Sequence, residues 1–309
     1  MVATNPNIPN GLVPFQRLDG AMWRDSLRRY YVPASQTNAL YVGDPVIKIA
    51  ANADVNGLNA VDLAAAGTAN RTTGVICGFA GTCAAGAGVV PSLLATGIGV
   101  GPMYRPASTA LDYYVLVNDD PEAMWTIQAD NNYGGTGIAV TFSASPNITG
   151  AGLPATAGTP VQFANSTSAA SLPSPFVAYQ TYYVLAGSTT TSITVSATPG
   201  GTAITAAGAG TGSSFISNGV QPPVALVGKN INLLPGTGSP YTGWSGWQAS
   251  TGAFYNNAGA AVAAPGTGAT LQLNVVDVYR DTQNAANAFF TKLVVRLNQS
   301  TETNAVAGI

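Results

Sequence analysis

The sequence predicts an all-β protein: a β-barrel or sandwich domain interrupted by a smaller inserted β-module and preceded by a short N-terminal arm with a helix. Three observations lead there. Gly supplies 36 and Pro 20 of the 309 residues, a composition that favours many turns over long helices. Charged residues are 8% of the chain, where ordinary soluble domains carry about 25%. Short runs rich in β-branched and aromatic residues recur between clusters of Gly, Pro, Asn and Ser, the pattern of strands joined by turns.

In chain order, the arm covers residues 1–30. Within it, Asp19 to Arg29 (DGAMWRDSLRR) sets Met22, Trp23, Leu27 and Tyr30 at spacings near three and four. That predicts a short helix with its arginines turned away from an apolar stripe, one that needs docking to persist at this length. The β-domain is expected from 31–135 and 220–309. Its strands are Tyr41 to Ala50, Gly74 to Ala80, Leu111 to Val117, Ala123 to Ala129, Leu271 to Tyr279 and Lys292 to Asn298, separated by turns such as Gly43-Asp44-Pro45 and Asn118-Asp119-Asp120-Pro121. In AMWTIQA, Ala123, Trp125 and Ile127 share one face and Met124, Thr126 and Gln128 the other, as in a half-buried strand. Asn284 to Phe290 is a second, weaker helical candidate.

The charges mark the insertion. Between Asp130 and Asp277 the only charged residue is Lys229. The stretch is too uncharged and too apolar to read as disordered, and it contains Ile138 to Ser143 (IAVTFS), Thr181 to Ala186 (TYYVLA) and Ser192 to Ala197 (SITVSA). Residues 136–219 are therefore expected to form the inserted β-module.

Several chemistries are excluded or unsupported. The chain has no histidine, so imidazole cannot serve as base, proton shuttle or metal ligand. Cys77 and Cys83 (CGFAGTC) match neither zinc-knuckle spacing nor a disulfide framework; they read as reduced thilols of a chain assembled in a reducing cytosol, with a local disulfide as the alternative. Asp119-Asp120-Pro121-Glu122 lacks the spacing and glycine of a calcium loop and reads as a solvated turn. The glycine run Gly78 to Gly88 lacks the Lys-Ser/Thr of a phosphate loop. No carboxylate pair is singled out for glycoside hydrolysis. The expectation is a non-enzymatic protein without cofactor or metal. A net charge of −2 argues against nucleic acid as a partner. The most apolar stretch, Gly88 to Met103, is broken by Pro91, Gly97, Gly99 and Gly101, so no membrane span is expected, and MVATNPNIPNGL has no basic region followed by an apolar stretch, so no secretory signal is expected. The apolar content instead suggests packing against other subunits, a homo-oligomer with a trimer preferred over a dimer.

The candidate binding residues lie in the arm and just beyond it. Arg17, Arg24, Arg28 and Arg29 are half of the eight arginines, and Trp23, Tyr30 and Tyr31 lie among them. Arginine forks and aromatic rings are the residue types enriched at interface anchors; the competing reading is a solvated face.

Several phrases, in order, resemble the head decoration, or cement, proteins of tailed bacteriophages. They are RDSLRRYYVPAS (Arg24 to Ser35), ALYVGDPVIKIAA (Ala39 to Ala51), TGVICGF (Thr73 to Phe79), ALDYYVLVNDDPEAMWTIQADN (Ala110 to Asn131), VGKNINLL (Val227 to Leu234) and TKLVVRLNQ (Thr291 to Gln299). Within the module, Gly158 to Ile204 resembles a small β-repeat of phage tail and other virion proteins, with a GTPV…F strand, a TYYV strand and a SATPGG turn; the proline-interrupted link from Asn165 to Tyr179 departs from that repeat. The resemblance implies a structural virion protein, assembled in the host cytoplasm, that sits on the outer capsid surface, binds the major capsid protein and ties capsomers together. The alternative is a tail or adhesion protein that binds host-surface carbohydrate, for which the aromatics Tyr241, Trp244, Trp247, Phe254 and Tyr255 would be the stacking platform.

Overall fold

The computed structural model describes residues 5–21, 27–86, 102–130, 137–165, 171–178, 180–217, 223–251, 265–285 and 290–302. Its architecture is all-β. Among the described residues the only helical element is a single 3-10 turn, Pro223–Leu226, and none is a helix long and apolar enough to cross a membrane.

Five strands close a barrel in the order Arg28–Val32, Asn59–Leu63, Pro45–Ala53, Gly74–Ala84, Leu111–Asn118. All neighbours are antiparallel except Arg28–Val32 and Asn59–Leu63, which meet in parallel at Tyr31 and Ala60. Along Leu111–Asn118, Tyr113, Val115 and Val117 join Tyr30, Val32, Val46 and Val61 on one face. Tyr114 and Leu116 join Tyr31, Ala60 and Ala80 on the other. Both faces of the wall are therefore apolar, and both tyrosines of the adjacent pair are buried. Gly74–Ala84 shifts register twice against Leu111–Asn118, at Ile76/Gly78 and Phe79/Gly81; such bulges bend a long strand around a small barrel.

A second sheet runs Val13–Arg17, Ala123–Gln128, Lys292–Leu297, Leu273–Val278, Asn230–Ile231. Its inner face, with Trp125, Ile127, Leu273, Val275, Leu293 and Val295, shares one core with Leu12, Trp247 and the barrel residue Val75. The opposite face of AMWTIQA is less open than its alternation predicts. Met124 and Gln128 are each only 4% exposed, and Gln128 lies under residues 5–8, its Nε2 donating to the Pro6 carbonyl at 2.8 Å.

Neutral side chains lace barrel to sheet where a typical protein would use ions. Buried Gln272 makes four hydrogen bonds. Its Oε1 accepts from the Gly67 and Leu233 N–H groups, and its Nε2 donates to the Ala65 and Asn70 carbonyls. Asn298 Nδ2 donates to the Ala269 and Leu271 carbonyls. Every donor and acceptor of Gln272 is thus matched, which is how a polar group is buried without penalty.

The N-terminal residues are not a free arm. Val13–Arg17 is an edge strand paired with Ala123–Gln128, and Arg28 and Arg29 begin a barrel strand rather than end a helix. Barrel pairing with Leu111–Asn118 overrides the short helical spacing, because an isolated helix of that length has too little of its own stability. Met22 to Ser26, including Trp23 and Arg24, lie outside the described residues. In the second helical candidate, Asn284, Ala285 and Phe290 are non-helical and 286–289 lie outside the described residues.

Residues 137–217 form a sheet of their own. Its strands run Ser192–Ile193, Ile148–Gly150, Gly137–Thr141, Ser214–Ser217, Pro160–Asn165, Thr181–Val184, Val195–Ser196. The two end strands are halves of one segment divided at Thr194, one pairing with Ile148–Gly150 and the other with Thr181–Val184, so the sheet comes back upon itself. Inside, Phe142, Phe163, Phe176 and Tyr182 meet ring to ring at 4.9–5.6 Å. Among the described residues, this core draws only on the segment itself. Despite the proline-interrupted link, the GTPV…F and TYYV strands pair directly, Val161 opposite Tyr182.

Candidate functional site

The candidate residues separate by the way their strands face. In Arg28–Val32, Tyr30 is 3% and Tyr31 8% exposed. Their rings are barrel core, which corrects the expectation that they are surface anchors. Tyr30 Oη donates to Asp119 Oδ2 at 2.7 Å, and burial together with that carboxylate pushes its phenol well above the usual range. Burial, aided by Asp112, pushes Tyr31 up to about 12.

Arg28 reaches the same Asp119 oxygen at 3.2 Å, with its side chain 71% exposed against 6% for the aspartate. One oxygen of a buried carboxylate thus holds a phenol on the core side and a guanidinium on the solvent side. Arg29, half-buried, makes no ion pair among the described residues. Arg17, at the end of the edge strand, sits against the turn that joins the barrel to the second sheet: 2.7 Å from Glu122, 3.7 Å from Asp120 and 3.9 Å from Asp19. The acidic turn Asp119-Asp120-Pro121-Glu122 therefore does more than close two strands; it receives Arg17 on one flank and Arg28 on the other.

Lys48 and Glu302 extend this charged strip. Their 2.8 Å pair lies beside Tyr30, with Lys48 Nζ 5.9 Å from the ring centre. The Lys48 ammonium chiefly, with a smaller contribution from Arg28, holds the Glu302 carboxyl below its ordinary value. Sequence reasoning missed both residues, which are separated by most of the chain, and no local spacing could have joined them.

Chain exit from Arg28–Val32 is fixed by Arg105, fully buried and, among the described residues, without a carboxylate ion pair. Its guanidinium donates to the carbonyls of Pro33, Gln36, Asn38 and Pro106 and lies 5.8 Å from the Tyr113 ring centre. Asp112 accepts from the N–H groups of Ala34 and Gly86, both at 2.8 Å. The strand bearing Arg28 and Arg29 is therefore clamped where it leaves the barrel, so the arginines project from a rigid element rather than a tether.

Of the aromatics named for the carbohydrate alternative, Tyr241 is 92% and Trp244 38% exposed, whereas Trp247 belongs to the core at 3%. Phe254 and Tyr255 lie outside the described residues. Neither cysteine forms a disulfide among the described residues, and both are half-buried. Among the described residues no three acidic or thiol side chains gather as a metal site would require. The charged strip offers fixed positive forks, with their own acids beside them, to an opposing surface. Comparison with protein-family models, with curated proteins and with solved structures finds no match for this chain.

Proposed function

We propose that the protein is a structural, non-enzymatic component of a bacteriophage virion, bound to the outer surface of the capsid shell, where it contacts the major capsid protein and reinforces the joints between capsomers. The carrying observation is the Arg28–Val32 strand, locked into the barrel through its tyrosines and presenting Arg28 to solvent from that fixed base, with Arg29 half-buried beside it. The ordered likeness of the flanking phrases to decoration proteins supports the same reading. So does a fold that ties barrel to sheet with neutral amides and gathers Arg17, Arg28 and Lys48 with their acids, since many small fixed contacts suit a protein that spreads over neighbouring subunits. A homo-oligomer, trimeric rather than dimeric, fits this role, because closed symmetry lets one patch meet equivalent patches on a symmetric shell.

The test is co-sedimentation with decoration-free capsids at two salt concentrations, comparing the parent with the triple variant Arg24→Ala, Arg28→Ala and Arg29→Ala. Loss of partners from desolvated contacts costs about 2–5 kcal/mol, so affinity should fall at least tenfold, and the salt dependence of binding should flatten. Asp119 keeps its Tyr30 bond, so the melting temperature should change little. Equal saturation of capsids by a normally melting variant would refute the role given to these arginines.

A further inference from the structure

On the outer face of the second sheet, half-exposed and exposed polar side chains line a groove without a side-chain partner among the described residues. Residues 5–8 cross the outer face of the second sheet as a strap. Asn5 exchanges hydrogen bonds with Ala285 and Thr291, the Pro6 carbonyl takes the Gln128 amide, and Asn7 Oδ1 takes that of Gln248. Between strap and sheet lie two contiguous hollows of 220 and 240 Å³ that share the wall Ile8, Asn10, Gln128, Tyr279 and Lys292. Together they fall in the size range of small-ligand sites, about 300–1,000 Å³. Among the described residues, four polar groups on their lining have no side-chain hydrogen bond: the Asn10 amide, the Tyr279 hydroxyl, the Gln283 amide and the Lys292 ammonium.

We propose that this strapped groove is a binding site for a neutral saccharide. The lining combines apolar surface, Ile8 at 61% exposure and the Tyr279 ring braced edge-on by Phe15 at 5.6 Å, with amide, hydroxyl and ammonium groups that both donate and accept. A ring with apolar faces and hydroxyl edges matches that mixture. Asp281 lines the same hollow as Lys292, and the opposite charges keep the groove from selecting an anion. The floor is formed by Ala123–Gln128 and Lys292–Leu297, each paired on both sides within the sheet. It therefore offers no free backbone ladder, which disfavours an extended peptide, whose recognition depends on one.

The experiment applies the full-length protein to a printed array of neutral oligosaccharides, with Lys292→Ala, Asn10→Ala and Tyr279→Phe alongside and with melting and capsid co-sedimentation recorded for each. Lys292 is exposed and Tyr279→Phe keeps the packing against Phe15, so both should fold as the parent does. At least one neutral oligosaccharide should be retained by the parent, with the signal reduced tenfold or more in Lys292→Ala and Asn10→Ala and capsid binding unchanged. Absence of any retained neutral glycan, or retention undiminished in all three variants, overturns the proposal. Capsid binding is measured separately, so its loss in the parent would count against the virion role and not against the groove.

Discussion

Single residues carry unusual weight in a chain with so few charges. Asp44 is 2% exposed at a crossing of three segments, where Gly11 and Gly43 approach too closely for a side chain on either and where Ser245 packs against Gly11. Both glycines also adopt positive φ, 67° and 94°, so the crossing demands them twice over. Burial pushes the Asp44 carboxyl up to about 6 from 3.8, although the Ser245 hydroxyl and the Tyr41 N–H pull the other way. Between those two pH values the folded chain holds a proton that the unfolded chain has released, so this group's contribution falls as pH rises from about 4 to 6 and the full penalty stands above 6. A shift of that size corresponds to about 3 kcal/mol. Asp44→Asn keeps an acceptor for Tyr41 and should be the more stable protein at pH 7, with the advantage shrinking toward pH 4. Denaturant melts of both proteins across that range measure it; parallel pH profiles would show that Asp44 is ionised at no cost. Carboxylates with lowered values, Asp54 and Glu302, act in the opposite sense in both proteins and cancel in the comparison.

At the level of elements, strands with clean alternation or long β-branched runs were legible from sequence. Leu111–Asn118, Ala123–Gln128 and Lys292–Leu297 fall within a residue or two of their expected bounds. Arg28–Val32 was not legible, because two adjacent tyrosines give no period of two; the alternation is hidden when both faces of a barrel wall are apolar. The same burial removed Tyr30 and Tyr31 from the candidate site while leaving Arg28 and Arg29 on it. Arg105 escaped notice for a different reason: its partners are backbone carbonyls, which have no sequence signature. In the central segment Gly137–Thr141, Pro160–Asn165 and Thr181–Val184 were legible, Ser192–Ala197 proved to be two strands divided at Thr194, and the short Ile148–Gly150 and Ser214–Ser217 were missed; the core of the segment gives a test of its independence. Phe163 is fully buried against Phe142, Phe176 and Tyr182. Phe163→Ala should cost about 3–5 kcal/mol, and hydrogen exchange should show the loss of protection confined to 137–217. Equal loss in Ala123–Gln128 and Lys292–Leu297 would mean that the segment and its flanks unfold as one unit.

For the whole molecule, the division of labour follows from where the cores lie. The barrel and the second sheet share apolar contacts through Val75 and amide contacts through Gln272, whereas the segment 137–217 fills its core from within. Its first and last strands are direct neighbours, Gly137 opposite Ser217, so the chain enters and leaves at one place. Joining residue 135 to residue 220 through a short linker should therefore leave a soluble protein that still sediments with capsids, since insertions with adjacent ends are tolerated. A soluble, folded deletion variant that no longer binds would place attachment in the segment instead of the barrel.

The adjacency of Gly137 and Ser217 also bears on the order in which the chain acquires its structure during synthesis. Trp125 must find Val295 across more than half the sequence, and the cost of closing a loop rises with its length, about 0.6 kcal/mol for each doubling. Once folded, the central segment counts as a short link, and the distance to be closed shrinks by its whole length. Until Lys292–Leu297 emerges, however, Ala123–Gln128 has only Val13–Arg17 at one side and an open, tryptophan-bearing edge at the other. Open strand edges template pairing between chains. A nascent chain that stalls before residue 292 would thus carry a finished barrel beside a sticky sheet edge, and Lys292–Leu297 acts as the cap that closes that edge.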